Sequence, residues 1–235
     1  MQYRSVIYYR NTLSPTARRA YDAMVRGWMA FDEFISLPPG DYDVKEAVKA
    51  VLLDYPLLFH VNYYRIAYTR SPLKIRLRGD YFYSRQEARR LLDLCENWGR
   101  AVTGSMPRGL TDRQKAGYLQ RCLVSHTRYA QTGREAHNVI GPIRNGEAVC
   151  EGIAKAFKYL CDLVEIPCIL VAGTMEREPH AWTKLWLNGR AGFMDVTNAL
   201  HDPGLLRDVL VSQSFRWAHQ YAWDTEKVPD APDYF

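Results

Sequence analysis

Three residues in the second half of the chain are of the types that carry out nucleophilic chemistry: Cys150, His180 and Asp195. A thiol nucleophile needs a base, and the base needs an acceptor that orients it. Cys150 stands where the polar turn "NGEAV" becomes the amphipathic pattern "CEGIAKAFKYLCDL". At a helix start, unpaired N–H groups and the helix dipole favour a thiolate. His180 and Asp195 belong to "HAWTKLWLNGRAGFMDVT", which reads as a hairpin about Asn188-Gly189, the strongest short hairpin signal. With a two-residue loop, Leu187 pairs with Arg190. Counting outwards sets Trp182 opposite Asp195 and His180 opposite Thr197. Side chains alternate along strands, so these four share a face, and His180 and Asp195 are diagonal neighbours within reach of a hydrogen bond. A slip of one residue separates them, and Gly192 inside the second strand marks a candidate bulge.

Taken singly, each residue has a plain structural reading: Cys150 an inert half-buried thiol, His180 a satisfied histidine, Asp195 a cap for a loop. Trp182 reads as a core or cleft-wall residue. His60, His126, His201 and His219 have no partner nameable from the sequence and read as structural or surface.

These residues need elements to position them. The helix opened by Cys150 has an apolar stripe at Ile153, Phe157, Leu160 and Val164, the spacing of one buried face. Pro167 follows it, then "CILVAGT" as a buried strand. Ahead of it, "TDRQKAGYLQRCLVSHTRYA" reads as a helix capped by Thr111 or Asp112, and "QTGREAHNVIGPIRNGEA" as a loop with one helical turn. In the first half, "SPTARRAYDAMVRGWMAFDEFISL" reads as one helix with Ser14 as N-cap and Pro15 in its first position. "VKEAVKAVLLDY" is a shorter helix. "LFHVNYYRIAYTR" and "LKIRLRGDYFY" read as strands, and "SRQEARRLLDLCENWGRAV" as a helix. "TGSMPRG" is the best candidate boundary. The division expected is an α+β accessory region over 1–105, without a catalytic group, and a core over 106–235 whose tail from His201 is aromatic but irregular.

Composition sets the bounds. The 235 residues, 47% hydrophobic and 24% charged, are ordinary for a globular protein with a substantial core. The net charge of +5 comes without a Lys/Arg run of the kind that marks a nucleic-acid tail, and the tyrosines Tyr63, Tyr64, Tyr81 and Tyr83 read as strand aromatics rather than a base-stacking platform. No stretch approaches eighteen consecutive apolar residues, and the start has no apolar leader. The five cysteines form no C-x-x-C pair, which argues against a zinc knuckle or disulfide framework. Cys95, Cys122, Cys161 and Cys168 read as small buried hydrophobes. A reducing cytoplasmic compartment is the expectation, without nucleic-acid or membrane partners.

The blocks "GEAVCEGIAKAFKYLCDLVEIPCILVAGT", "HAW" and "DVT" agree in order and spacing with the transglutaminase-like superfamily. The chain resembles that papain-like group of cysteine acyl-transfer enzymes closely over Thr111–Asp202. "YDAMV" and "DYPLLF" resemble the segment preceding the core in bacterial members. The resemblance implies an α+β fold of papain-like, transglutaminase-core type, with the nucleophile helix packed on an antiparallel sheet and an N-terminal α+β segment. It implies Cys150 as nucleophile, His180 as base and later acid, and Asp195 as orienter. The Cys150 backbone N–H would be one oxyanion donor, with His137, Asn138 and Asn145 as loop candidates for the second. Gly152 would allow close helix packing. No metal or organic cofactor is implied, and the partner is a protein or peptide substrate. Five positions depart from the pattern: Ile153 stands for Tyr, Thr183 for Asn, Ala191 and Gly192 for a Trp-Tyr pair, and Asn198 for Trp. Three functions follow: hydrolysis of peptide or side-chain amides, which water's constant presence favours; transglutamination, in which an amine takes the acyl group; and a non-catalytic module that keeps the fold.

Overall fold

The computed structural model describes residues 5–207 and 210–231. The chain divides into two compact units, Ile7–Leu92, and Asp93–Phe235 with Met1–Val6.

In the first unit, Ser14 caps helix α1 (Pro15–Met29) by accepting from the Ala17 N–H. The helix is shorter than its apolar pattern suggests. Phe31 takes the left-handed conformation, with φ 57°, and the "FISL" expected to continue the helix is strand β1 (Phe34–Leu37). Tertiary pairing decides this: Ile35 and Leu37 are buried, and β1 lies antiparallel to a strand forty residues further on. Asp43 caps helix α2 (Val44–Asp54). Strands β2 (Ala67–Arg70) and β3 (Ile75–Arg78) are shorter than their aromatic runs, because Tyr63–Arg65 forms a 3-10 turn. The sheet order is β1-β3-β2. Helix α3 (Arg85–Gly104) follows without a break at the unit boundary.

The second unit carries Cys150, His180 and Asp195. Helix α4 (Asp112–His126) starts with a capping box between Thr111 and Gln114. Strand β4 (Arg128–Tyr129) pairs in parallel with β5 (Glu147–Ala148). The chain between them holds a 3-10 turn at Arg134–His137 and a π-helical turn at Gly141–Asn145. Helix α5 (Cys150–Leu163) comes next, then strands β6 (Cys168–Met175), β7 (Glu178–Leu187) and β8 (Arg190–Met194). Helix α6 (Val196–His201), helix α7 (Gln213–Ala218) and strand β9 (Ala222–Trp223) complete it. The antiparallel sheet has the order β8-β7-β6-β9. The fold class is α+β, with mixed helices and antiparallel strands.

Helix α5 is buried on every side from Gly152 to Asp162 rather than along one stripe. Two lysines are enclosed with it. Lys158 pairs with Asp162 at 2.9 Å and donates to Ser5 Oγ at 2.9 Å. Lys155 pairs with Glu151 at 2.6 Å and donates to the His137 carbonyl at 3.1 Å. Enclosure of a charge is tolerable only with such partners. Among the described residues, no helix is long and apolar enough to cross a membrane.

Candidate active site

Cys150 is the first residue of α5 and half-buried. The helix has no side-chain cap, because its N-cap is Val149, so the N–H groups of the first turn are not taken up by a capping oxygen. Gly152 sits where an added Cβ would come within 2.3 Å of the Ala136 carbonyl oxygen. The loop before the helix therefore crosses its first turn at a distance only glycine permits.

The hairpin forms in the expected register from Leu187↔Arg190 to Thr183↔Met194. Asn188 and Gly189 both have positive φ, 52° and 78°, as a type I′ turn requires. Gly192 makes no bulge, since Leu185↔Gly192 lies within a continuous ladder. The expectation fails one residue beyond Met194. Asp195 does not face Trp182 across the ladder, and Thr197 does not face His180. The chain leaves the sheet there, and Asp195 is the N-cap of α6, accepting from the Thr197 and Asn198 N–H groups. Capping takes its Oδ1, at 3.0 and 3.2 Å. Its Oδ2 is left for His180, whose Nε2 donates at 2.6 Å. The pair forms by a route other than the extended hairpin.

Helix α5 packs against β7, and Cys150 acts on the His180 ring along with Asp195. The sheet and the start of α5 thus bring Cys150, His180 and Asp195 to one place, with His180 and Asp195 hydrogen-bonded. Burial opposes a charge on the imidazole, but the hydrogen bonds and charges of Asp195 and Cys150 outweigh it and raise its pKa to about 9. The His180 side chain is 8% exposed and that of Asp195 0%, so solvent screens the pair little.

Three further residues meet the site without a sequence signal. The Tyr221 hydroxyl donates to Asp195 Oδ2 at 2.7 Å. Asn198 Nδ2 donates to the same oxygen at 3.1 Å and also bonds the Tyr221 hydroxyl. Tyr129, with its ring exposed, reaches the start of α5 through its backbone. Tyr129 precedes the helix by pairing with Ala148, two residues before Cys150. The motif could have suggested Tyr129 only through this strand pairing. Nothing near Asp195 in sequence suggests Tyr221.

The five departures are accommodated. Ile153 is fully buried in α5. Thr183 donates to the Met194 carbonyl at 2.9 Å, holding β8 where the chain turns to Asp195. Ala191 pairs with Trp186 in the ladder. At Gly192, the place of a Cβ is taken by Leu210 Cδ1, 2.4 Å away. Asn198 has become a ligand of the carboxylate. Aromatic rings reach the site from the tail instead: Tyr221 meets Trp182 edge-on, with centroids 5.1 Å apart, and Trp223 does so at 5.8 Å. Trp182 itself is a core residue, 1% exposed.

The loop residues named as oxyanion candidates make these contacts. His137 Nδ1 lies 3.3 Å from Glu151 Oε2, Asn138 Oδ1 accepts from the Ile140 N–H, and Asn145 Nδ2 donates to Glu135. Among the other cysteines, Cys95, Cys161 and Cys168 are buried and Cys122 is half-buried. Burial pushes the Cys95 thiol up to about 12 and Cys161 well above the ordinary range. No group of three or more His, Cys, Asp or Glu among the described residues is arranged to hold a metal ion.

No protein-family model and no curated protein sequence matches the chain. Solved structures do. One is a TGase, at 12% identity and TM-score 0.43, covering 70% of this chain and 50% of that one. Another is a cysteine protease candidate of Cytophaga hutchinsonii, at 11% identity and TM-score 0.37, covering 55% of each chain. A third is the periplasmic domain of TgpA from Pseudomonas aeruginosa, at 14% identity and TM-score 0.26, covering 58% of this chain and 57% of that domain. The chain is similar to transglutaminase-like and cysteine-protease structures, and it spans about half the length of the first two.

Proposed function

We propose that the protein is a cysteine-dependent acyl-transfer enzyme acting on peptide or side-chain amides, and that it releases the acyl group to water. One observation carries this reading: a histidine held by a buried carboxylate, His180 Nε2 on Asp195 Oδ2 at 2.6 Å, on the strand against which the helix opened by Cys150 packs. The names of the similar structures, a TGase and a cysteine protease candidate, agree with it. Cys150 gives its proton to His180, and its sulfur attacks the amide carbon. The C–S bond forms as the carbonyl π electrons move to oxygen. The backbone N–H of Cys150, at the uncapped start of α5, meets that oxyanion. Collapse breaks the C–N bond, and His180 passes its proton to the leaving nitrogen. Water then attacks the thioester, His180 takes its proton, and the thiolate leaves. Asp195 holds the imidazole in the tautomer both steps need. A protein or peptide is the substrate, and no cofactor enters these steps.

The test supplies competing nucleophiles. The protein is incubated with a glutamine-containing protein and a labelled primary amine, and ammonia, amine incorporation and chain cleavage are followed together. Cleavage, or ammonia without incorporation, supports hydrolysis. Efficient incorporation at modest amine concentration makes the protein a transglutaminase. Cys150→Ala must abolish each signal. If Cys150 also alkylates no faster than the buried Cys161 at pH 6, the reading fails in favour of a non-catalytic module.

A further inference from the structure

Asp195 Oδ2 is a crowded atom. It accepts from His180 Nε2 at 2.6 Å, from the Tyr221 hydroxyl at 2.7 Å and from Asn198 Nδ2 at 3.1 Å. The first is the contact the proposed reaction uses. The other two come from α6 and from a tail residue 26 positions further along the chain.

Tyr221 is placed by more than its hydroxyl. Strand β9 begins at the next residue and pairs with β6 through Gly173↔Trp223 and Thr174↔Ala222. Gly173 in turn pairs with His180, so the tail runs two strands away from the histidine. Gly173 is required for this: an added Cβ would lie 2.1 Å from the Ala222 carbonyl oxygen and 2.9 Å from the Trp182 ring. The Tyr221 ring stands edge-on to Trp182, at 89°, and lies 6.1 Å from the His180 ring. Burial first, and then the charge of Asp195, hold its phenol well above the ordinary range. Tyr221 is therefore a neutral donor under all ordinary conditions.

We propose that Tyr221 is a positioning residue of this site: by sharing Oδ2 with His180, its hydroxyl sets how firmly the carboxylate holds the imidazolium. The inference rests on the reading of Cys150, His180 and Asp195 given above. Donors on one oxygen compete for the same electron density, so each added donor weakens the hold of the rest. A base that must take a proton and return it is best kept from holding it too tightly. The Tyr221 hydroxyl moderates that hold, and Asn198 supports it through both Oδ2 and the hydroxyl itself. The titratable groups facing His180 are Asp195 and Cys150. Glu176 acts on Tyr221 from further off and is paired with His219 at 2.7 Å. The two changes at Tyr221 below alter none of these four.

The experiment is an NMR titration of the His180 imidazole in the full chain, assigned with His180→Gln. Tyr221→Phe keeps the ring against Trp182 and removes only the donor. It should raise the proton affinity of His180 by about three- to tenfold, the net worth of one ordinary intramolecular hydrogen bond. Replacing Tyr221 by 3-fluorotyrosine, a more acidic phenol and stronger donor, should move the midpoint the opposite way. A merely structural role predicts no such reversal of sign. A third variant separates this inference from its premise: Asp195→Asn should lower the His180 midpoint sharply. If Asp195→Asn leaves it in place, the triad reading fails. If Asp195→Asn lowers it while Tyr221→Phe and the fluorinated residue leave it unmoved or shift it in the same direction, the role of Tyr221 is overturned alone.

Discussion

Two buried carboxylates, one in each unit, are held by nearly the same donors. Asp54 accepts from the N–H groups of Tyr8, Tyr9 and Arg10 and from the Tyr21 hydroxyl at 2.7 Å. Asp195 accepts from the N–H groups of Thr197 and Asn198 and from the Tyr221 hydroxyl, also at 2.7 Å. Asp54 organises the segment before α1 and ties it to α2. Asp195 organises the start of α6 and adds two partners, His180 and the Asn198 side-chain amide. The two histidines repeat the contrast. His60 is buried in the first unit, with Nε2 on the Trp28 carbonyl oxygen at 3.1 Å and its ring stacked on Phe31. Burial lowers its pKa, and no carboxylate opposes that. His180, equally enclosed, is raised to about 9. Burial alone therefore favours the neutral ring, and burial beside a carboxylate and a thiol favours the protonated one. The difference lies in the groups that face the ring, not in composition or enclosure.

The contrast is broken most strongly at the carboxylates. On the proposed reading, Asp195→Asn presents an amide N–H to His180 Nε2. The ring then turns to the tautomer protonated on Nδ1, which cannot take the Cys150 proton. Amide turnover should fall by about 10⁴-fold, the usual cost of the wrong tautomer. Asp54→Asn should leave turnover unchanged but strand a buried N–H donor, costing about 1–3 kcal/mol in a urea unfolding curve. Equal effects of the two changes on turnover would remove the distinction between a structural and a functional carboxylate.

Gly173→Ala comes next in size. The added methyl pushes against the Ala222 carbonyl and should cost about 1–3 kcal/mol as overpacking. Its sharper consequence is displacement of β9, seen as a change in the His180 imidazole resonance. A stability loss without that change would detach the tail from the site.

The smallest effect expected is in the pH dependence of stability. His60 has a folded pKa below its unfolded value near 6.5. Its contribution is present above that value and is lost as pH falls through it. His180 has a folded pKa raised to about 9, so its contribution is complete below about 6.5 and is lost as pH rises through 9. Urea midpoints measured from pH 5 to 10 should therefore fall at both ends. His60→Gln keeps a donor for the Trp28 carbonyl oxygen and should flatten only the acid side. Flattening of the alkaline side by the same change would contradict the assignment.

Local chemistry alone determined much of this protein. Ser14, Asp43 and Thr111 cap their helices through atoms two or three residues away. Asn188-Gly189 set the hairpin register because both residues accept positive φ, and the polar turn before Cys150 marked the start of α5. Cys150 and His180 were legible because they belong to these elements. Only the tertiary structure decided the rest. "FISL" became a strand because β3 offered a partner and a buried face. Asp195 left the ladder because it caps α6, and it met His180 by the oxygen that capping left over. Tyr221 was invisible because 26 residues separate it from Asp195, and no periodicity survives two helices and the turn between them. Patterns in sequence record contacts between neighbours along the chain. A carboxylate shared by a hairpin, a helix and a tail is a contact among segments whose distances are fixed only when the sheet closes.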